Sequence, residues 1–514
     1  MQSNLFASRL KQSMQDNNLK QIDLMRAAEK RGIKLGKSHV SQYVSGKTIP
    51  RDNILNVLAE VLEVDAGWLK GTDENAEKSA VAEHKNEVKA SKNIDKEKSS
   101  KSKHNNLEAT SMKEFRKSSK LDNVLYDVRG PVVEEAARME EAGTHVLKLN
   151  IGNPAPFGFR APDEVIYDMR SQLTECEGYS QSKGLFSARK AIMQYMQNKN
   201  VPNVAIEDIY TGNGVSELIN LSMLALLDTG DEVLVPSPDY PLWTACVTLA
   251  GGKAVHYICD EEAEWNPDID DIKKKITNRT KAIVIINPNN PTGMLYPREV
   301  LEKIVDVARR HELILFADEI YDRLVMDGKE HVALASLAPD LLTLCFNGLS
   351  KSHLIAGYRC GWLCLAGDKS KAKSYIEGLN LLSSMRLCSN VPAQSVIPTA
   401  LDDANAAEEI ILPGGRIYEQ RECIWKRLNE IPGISAVKPD AAFYVFPKMD
   451  ERFNIKDDEK FALDFLKEKK ILITHGGGFH WETPDHFRVV YLPELDVLNE
   501  SCDRMVEFFD NYKQ

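Results

Sequence analysis

The chain has 514 residues, 43% of them hydrophobic, and a formal charge of −11. That length predicts two to four domains of roughly 150 residues each, and that charge excludes a chain that binds nucleic acid over its whole surface. No apolar run approaches the roughly 18 residues of a membrane span, and the opening MQSNLFASRLKQ lacks the apolar stretch of a signal peptide, so a cytoplasmic chain is expected. The 9 cysteines show no CxxC pair and no Cys/His metal spacing, with Cys360 and Cys364 the nearest approach. Reduced buried thiols and no bound metal are therefore expected.

Residues 1–71 carry 11 Lys and Arg against 7 Asp and Glu, a net +4. Leu5, Leu10, Ile22, Leu24, Val40, Tyr43, Ile54, Leu58, Leu62 and Leu69 recur at helical spacing, and Gly32, Gly36, Gly46 and Pro50 punctuate four or five short helices. The pieces LKQIDLMRAA, SHVSQYVSGKTIP and ILNVLAEVLEVDAGWLKG resemble the Cro-like helix-turn-helix family of phage repressors. The resemblance implies a small all-α DNA-binding domain in which Gln21 opens the second helix and Ser38 caps the recognition helix. Ser38, His39 and Gln42 would reach base edges, and Lys37 and Lys47 would reach phosphates. The turn RGIKLGKSH is longer than the commonest pattern of that family, which leaves the docking angle open. A helical bundle for dimerisation or protein contact is the other reading of this segment.

Residues 72–110 contain no aromatic, Gly or Pro and are dominated by Lys, Glu, Asp, Ser and Asn. Such a composition buries too little apolar surface to offset the entropy of ordering, so a flexible charged linker is expected.

From residue 111 to 514, short apolar runs alternate with amphipathic stretches and no internal repeat is present. DEVLVPSPDY (231–240), KAIVIINP (281–288), LILFADEI (313–320) and LLTLCFNGLS (341–350) are almost wholly apolar. Such runs suit strands of a mostly parallel sheet covered by helices on both faces. Several end in polar clusters: Asn290 beyond one, Asp318 and Tyr321 at another, Ser350 and Lys351 after a third. Ligands bind beyond the carboxyl ends of such strands, so these clusters should converge. There is no GxSxG, no Walker loop and no metal cluster. GNGVSE imitates GxGxxG, but Glu217 stands where the third glycine belongs. An acid, an amide, a phenol, a lysine and an arginine together suit an aromatic, phosphorylated, carbonyl-bearing cofactor. The glycines of HGGGFHW (475–481) are expected to serve a loop with unusual dihedrals.

Nine motifs in order, YDVRGPV, LNIGNPAPFGF, YSQSKG, TGNGVSELI, PSPDYP, NPNNPTG, DEIYDRL, SKSHLIAGYRCGW and DHFRVVYL, resemble class I/II aminotransferases, and among them the alanine (glutamate–pyruvate) enzymes. The resemblance implies the α/β PLP fold type I, with a large domain over about 160–400 and a smaller α+β domain from the flanking parts. It implies pyridoxal 5′-phosphate as cofactor and transamination between an amino acid and a 2-oxo acid. Lys351 resembles the lysine that bonds to the cofactor carbonyl and then shuttles a proton. Asp318 resembles the partner of the ring nitrogen, Asn290 and Tyr321 the partners of the ring oxygen, and Tyr240 the residue stacked on the ring. Val215, Ser216, Ser350 and Arg359 resemble the phosphate ligands. Tyr179 resembles a tyrosine reaching a phosphate across a homodimer interface. Arg488 resembles the fork for the substrate α-carboxylate, and Gly152, Tyr126 and Arg129 resemble residues around the substrate.

Other readings stay open at this level. Arg359 and Asp318 could pair with each other as a structural ion pair, Tyr240 could belong to the core, and the segment with Tyr126 and Arg129 could pack between domains. In function, a regulator that senses PLP or an amino acid and an aminotransferase for aspartate, aromatic or branched-chain donors stand beside the alanine reading.

Overall fold

The computed structural model describes residues 2–17, 19–29, 35–62, 64, 66–71, 115–121, 124, 130–403 and 406–514. The chain divides into two compact units, Met1–Lys113 and Glu114–Gln514. The stretch 72–110, Tyr126, Arg129 and most of the RGIKLGKSH turn lie outside the described residues.

The amino-terminal unit has helices Gln2–Asp16, Gln21–Glu29, Lys37–Val44, Asp52–Val61 and Ala66–Lys70. Phe6, Leu10, Leu24, Val40, Leu58 and Leu69 fill its core. Leu5 and Ile22, placed in the apolar pattern by spacing, are 42% and 49% exposed. The first helix faces inward through Phe6, Leu10 and Met14, spaced by four, which turns Leu5 about 100° away from that stripe. Gln21 opens the second helix, where the Asp23 carboxylate reaches back to the Lys20 amide at 2.8 Å. The expected cap at Ser38 is a misplacement. Gly36 takes the N-cap position with extended backbone (φ −76, ψ 154), and the helix already begins at Lys37, so Ser38 lies in its first turn.

The carboxy-terminal unit is organised by an eight-stranded sheet. Its spatial order is Ile209–Asn213, Cys360–Ala366, Thr343–Gly348, Ile314–Asp318, Thr280–Ile286, Glu232–Ser237, Lys253–Asp260 and Asn266–Pro267. The four apolar runs singled out in the sequence supply four of its central strands. Every residue of Glu232–Ser237 and Thr343–Gly348 is buried, because helices cover both faces. The strand Cys360–Ala366 runs antiparallel to both neighbours, and Asn266–Pro267 is antiparallel at the far edge.

A smaller assembly comes from residues before and after this sheet. Tyr444–Val445, Phe487–Val490 and Thr474–His475 form a three-stranded sheet, and Leu147–Lys148 pairs parallel with Ile471–Leu472. Helices Pro131–Glu141, Asp458–Lys469 and Leu495–Phe509 pack on it around Phe461, Phe465 and Phe508. The HGGGFHW segment departs from expectation. None of its glycines has a positive φ, and the left-handed residue is His480 at φ 56. Gly476 answers to crowding instead, since a Cβ there would stand 2.8 Å from the His486 carbonyl oxygen.

No described helix is long and apolar enough to cross a membrane. All nine cysteines are free thiols.

Candidate active site

At the carboxyl ends of the parallel strands lies a cavity of about 550 Å³. Gly152, Val215, Ser216, Tyr240, Asn290, Asp318, Tyr321, Ser350, Lys351, Arg359 and Arg488 all line it. Tyr179 does not, and its side chain is 82% exposed. Tyr126 and Arg129 fall outside the described residues.

Strand Thr343–Gly348 delivers the short helix Leu349–Ser352, which carries Lys351. Its amine donates to the Gly152 carbonyl oxygen at 2.7 Å and stands 5.6 Å from the centre of the Phe443 ring. Burial, with the nearby charges of Arg488 and Arg359, lowers the Lys351 amine to about 8. Such a group is partly uncharged near neutrality, as a nucleophile or base must be.

Asp318 closes strand Ile314–Asp318 and is 3% exposed. Its Oδ2 accepts the indole N–H of Trp243 at 3.0 Å, and its Oδ1 accepts the Ile320 amide at 3.4 Å. Burial raises this carboxyl to about 6, a rise the Trp243 hydrogen bond only partly offsets. A buried carboxylate without a cation asks for one from a ligand. Arg359 does not provide it. Its guanidinium donates to the Ala356 and Asn213 carbonyl oxygens and to Ser216 Oγ, and no ion pair joins it to Asp318 among the described residues.

Arg488, on strand Phe487–Val490, donates to Asn290 Oδ1 at 3.0 Å and to the Asn150 carbonyl oxygen. Its guanidinium lies between two rings, 4.8 Å from the Tyr444 centroid and 4.6 Å from that of Phe479. The Tyr321 and Tyr444 hydroxyls share a 2.8 Å hydrogen bond, so Tyr444 joins Tyr321 to the arginine.

A second group of lining residues forms a cradle for an anion. Gly214 caps helix Val215–Leu226 with φ 80, leaving the first amides of a 12-residue helix open towards the pocket. Arg359 Nη2 meets Ser216 Oγ at 3.0 Å in front of those amides. A Cβ at Gly214 would fall 2.2 Å from Arg359 Nη2, and one at Gly361 would fall 2.6 Å from the Val215 nitrogen. Glycine is required at both positions for backbone and guanidinium to close so tightly. Amides, guanidinium and the Ser216 and Ser350 hydroxyls are a donor set for a phosphate, and Asp318 and Asn290 stand in the same cavity for a ring. The residues present fit pyridoxal 5′-phosphate.

Sequence reasoning missed Trp243, Tyr444, Asn150 and Phe479. Trp243 lies in the apolar helix Leu242–Leu249, where nothing marks one indole as a donor to an acid 75 positions away. The adjacent PSPDYP motif was the available signal.

Residues 144–506 match the family described as aminotransferase class I and II. The chain is similar to the glutamate-pyruvate aminotransferase AlaA of Escherichia coli, 59% identical over 404 residues, which are 78% of this chain and 100% of that protein. It is 54% identical over 402 residues to the alanine aminotransferase of Mycobacterium bovis, covering 78% of this chain and 94% of that protein. In three dimensions it resembles the crystal structure of an aminotransferase from Escherichia coli, with a TM-score of 0.77 and 58% identity over 78% of this chain and 100% of the other.

Proposed function

Because the chain belongs to the class I and II aminotransferases, which depend on pyridoxal 5′-phosphate, we propose that it transfers the amino group of alanine to 2-oxoglutarate, yielding pyruvate and glutamate. The convergence of Lys351, Asp318, Asn290 and Arg488 in one cavity carries this reading. Two of the enzymes to which it is similar, a glutamate-pyruvate and an alanine aminotransferase, favour alanine as donor.

The bound cofactor supplies a carbonyl for exchange of amines and a ring that takes up the electron pair of the substrate α-carbon. Lys351 would hold that carbonyl and, as a free amine, would move the α-proton. Asp318 keeps the ring nitrogen protonated, Asn290 and Tyr321 bind the ring oxygen, and Tyr240 covers the ring. Val215, Ser216, Ser350 and Arg359 bind the phosphate. Arg488 offers two parallel N–H groups to the α-carboxylate, a fork that lysine lacks. Gly152 belongs to the loop that covers the substrate, and Tyr126 and Arg129 touch its side chain or second carboxylate. An amino-donor panel on the PLP-loaded protein tests the assignment. Alanine is expected to exceed aspartate, aromatic and branched donors by at least about tenfold in kcat/KM, roughly 1.4 kcal/mol. A better rate with one of those donors would move the substrate, and no turnover with any donor would sink the enzyme reading.

The enzyme on this reading is a cytoplasmic homodimer, with Tyr179 reaching the partner's phosphate. Tyr179, Phe186, Leu381, Met385 and Leu387 are exposed aromatic or apolar side chains on segments tied together by Arg386 to the Ser182 carbonyl oxygen and by the Leu185 amide to Gln394. Residues 1–71 form a DNA-binding domain, 72–110 a charged linker, and 111–514 the aminotransferase with its large domain over about 160–400. The exposed Gln21, His39, Gln42 and Lys47 on a helical unit of charge +4 support contact with DNA, alongside Lys37 and Ser38. Gel shifts on random genomic fragments at rising salt check this. Affinity should fall linearly on log–log axes with a slope of several units, and Gln42→Ala with Lys47→Ala should remove binding. Absence of any shift at low salt rules the domain out as a DNA reader.

A further inference from the structure

Beside Tyr240, apart from the side chains that line the cavity, four side chains form a network. Asp239 is fully buried. Its Oδ1 accepts from His480 Nδ1 at 2.7 Å, and its Oδ2 accepts from Thr244 Oγ1 at 2.7 Å. Thr244 has a single proton and gives it to Asp239, so His256 Nε2 is the donor in the 2.9 Å contact with Thr244 Oγ1. The two imidazoles stack, 4.7 Å between centroids and 20° between planes. Burial pushes the Asp239 carboxyl up, and the hydrogen bonds and charge of the two histidines more than offset it, holding the group below its ordinary range.

Asp239, His256 and His480 have ligand atoms within 4.8 Å of one another, a spacing a metal could use. The ring geometry argues otherwise. Nearly parallel stacked rings cannot both aim an in-plane lone pair at one cation, and both facing nitrogens already serve as donors. The network therefore joins protein to protein.

What it joins matters for the site. The backbone on either side is paired as well, with the Asp239 amide donating to the Phe479 carbonyl oxygen at 2.9 Å and Ser237 Oγ to that of His480 at 2.7 Å. These bonds clamp the end of strand Glu232–Ser237 to the turn Gly476–Phe479, whose Phe479 ring forms one side of the Arg488 guanidinium. The left-handed backbone of His480 turns its imidazole back onto Asp239. We propose that Asp239, Thr244, His256 and His480 are positioning residues that hold Phe479 against Arg488 and thereby set the affinity for the substrate α-carboxylate. The proposal rests on Arg488 being the carboxylate fork, as the functional reading has it.

The test measures the equilibrium affinity of PLP-loaded protein for 2-methylalanine, which carries the α-carboxylate and has no α-hydrogen to lose. His480→Ala should weaken that affinity about tenfold and raise KM for alanine in step, with kcat within about twofold and cofactor affinity unchanged. His480→Asn, whose amide N–H can take the place of Nδ1–H, should restore most of the loss. If His480→Ala does not fold, Asp239→Asn and His256→Gln, which preserve shape, carry the same comparison. An unchanged affinity in the folded variants, or a loss matched by loss of cofactor, overturns the proposal. Arg488→Lys in parallel separates the two ideas. If it leaves the affinity unmoved, the functional reading of Arg488 falls; if it weakens binding while the network variants do not, only the network proposal falls.

Discussion

Lys351→Ala should lower turnover of alanine with 2-oxoglutarate by at least about 10⁴-fold, because on the proposed function one side chain would supply both the amine that holds the cofactor carbonyl and the base that moves the α-proton. Pyruvate release in a coupled assay reads the loss, and cofactor content measured on the same sample separates chemistry from binding. The phosphate cradle of Arg359, Ser216 and the Val215 helix is untouched by this change, so the variant should still retain cofactor, now removable by dialysis. A variant keeping more than about a hundredth of the rate would place the base elsewhere. The amine also predicts a pH dependence. Its folded value near 8 lies below the ordinary 10.5, so the reactive uncharged form is scarce below pH 8 and complete above it. Covalent attachment of cofactor to the apo-protein should therefore accelerate about tenfold per unit up to pH 8 and then level off.

Asp318→Asn should cost about 10³-fold in kcat, roughly 4 kcal/mol, by withdrawing the charge that, on the proposed function, would keep the ring nitrogen protonated. The Trp243 indole can still donate to the Asn oxygen, and only the long 3.4 Å bond from the Ile320 amide loses its acceptor. The same carboxyl gives a second, independent readout. Its folded value of about 6 lies above the ordinary 3.8. In cofactor-free protein its contribution to stability is therefore full below pH 3.8 and lost as pH rises through 6. A cationic ring nitrogen beside it removes that loss. The rise in Tm on adding cofactor should thus be larger at pH 7.5 than at pH 5, and Asp318→Asn should flatten the difference. Equal rises at both pH values in the unaltered protein would mean that Asp318 does not face a cation.

Much of this was legible in the chain, for identifiable reasons. Strands buried on both faces read as unbroken apolar runs, so KAIVIINP and LLTLCFNGLS announced themselves, and the polar residues ending them had to lie at one edge of the sheet. Asn290 and Arg488 meet although 198 positions separate them, which only the nine ordered motifs anticipated. What escaped was contact made by ordinary aromatic residues. Tyr444 sits in a two-residue strand, and its hydroxyl reaches Tyr321 through tertiary packing that no periodicity encodes. Caps were misread for a local reason. Serine is the commoner N-cap, yet Gly36 had the required extended backbone two residues earlier. The three glycines before Phe479 looked like dihedral freedom, whereas Gly476 answers to the nearness of His486.

The reversed strand Cys360–Ala366 has a geometric consequence. A parallel successor to Thr343–Gly348 would need a crossover of about a dozen or more residues and would begin at the far edge of the sheet. Running backwards, it begins at the same edge where its neighbour ends, so Lys351 and Arg359, eight positions apart, both line one cavity. On the proposed function the intervening backbone works as a ruler that would set the span between the residue at the cofactor carbonyl and the residue at its phosphate. An insertion there would lengthen the ruler.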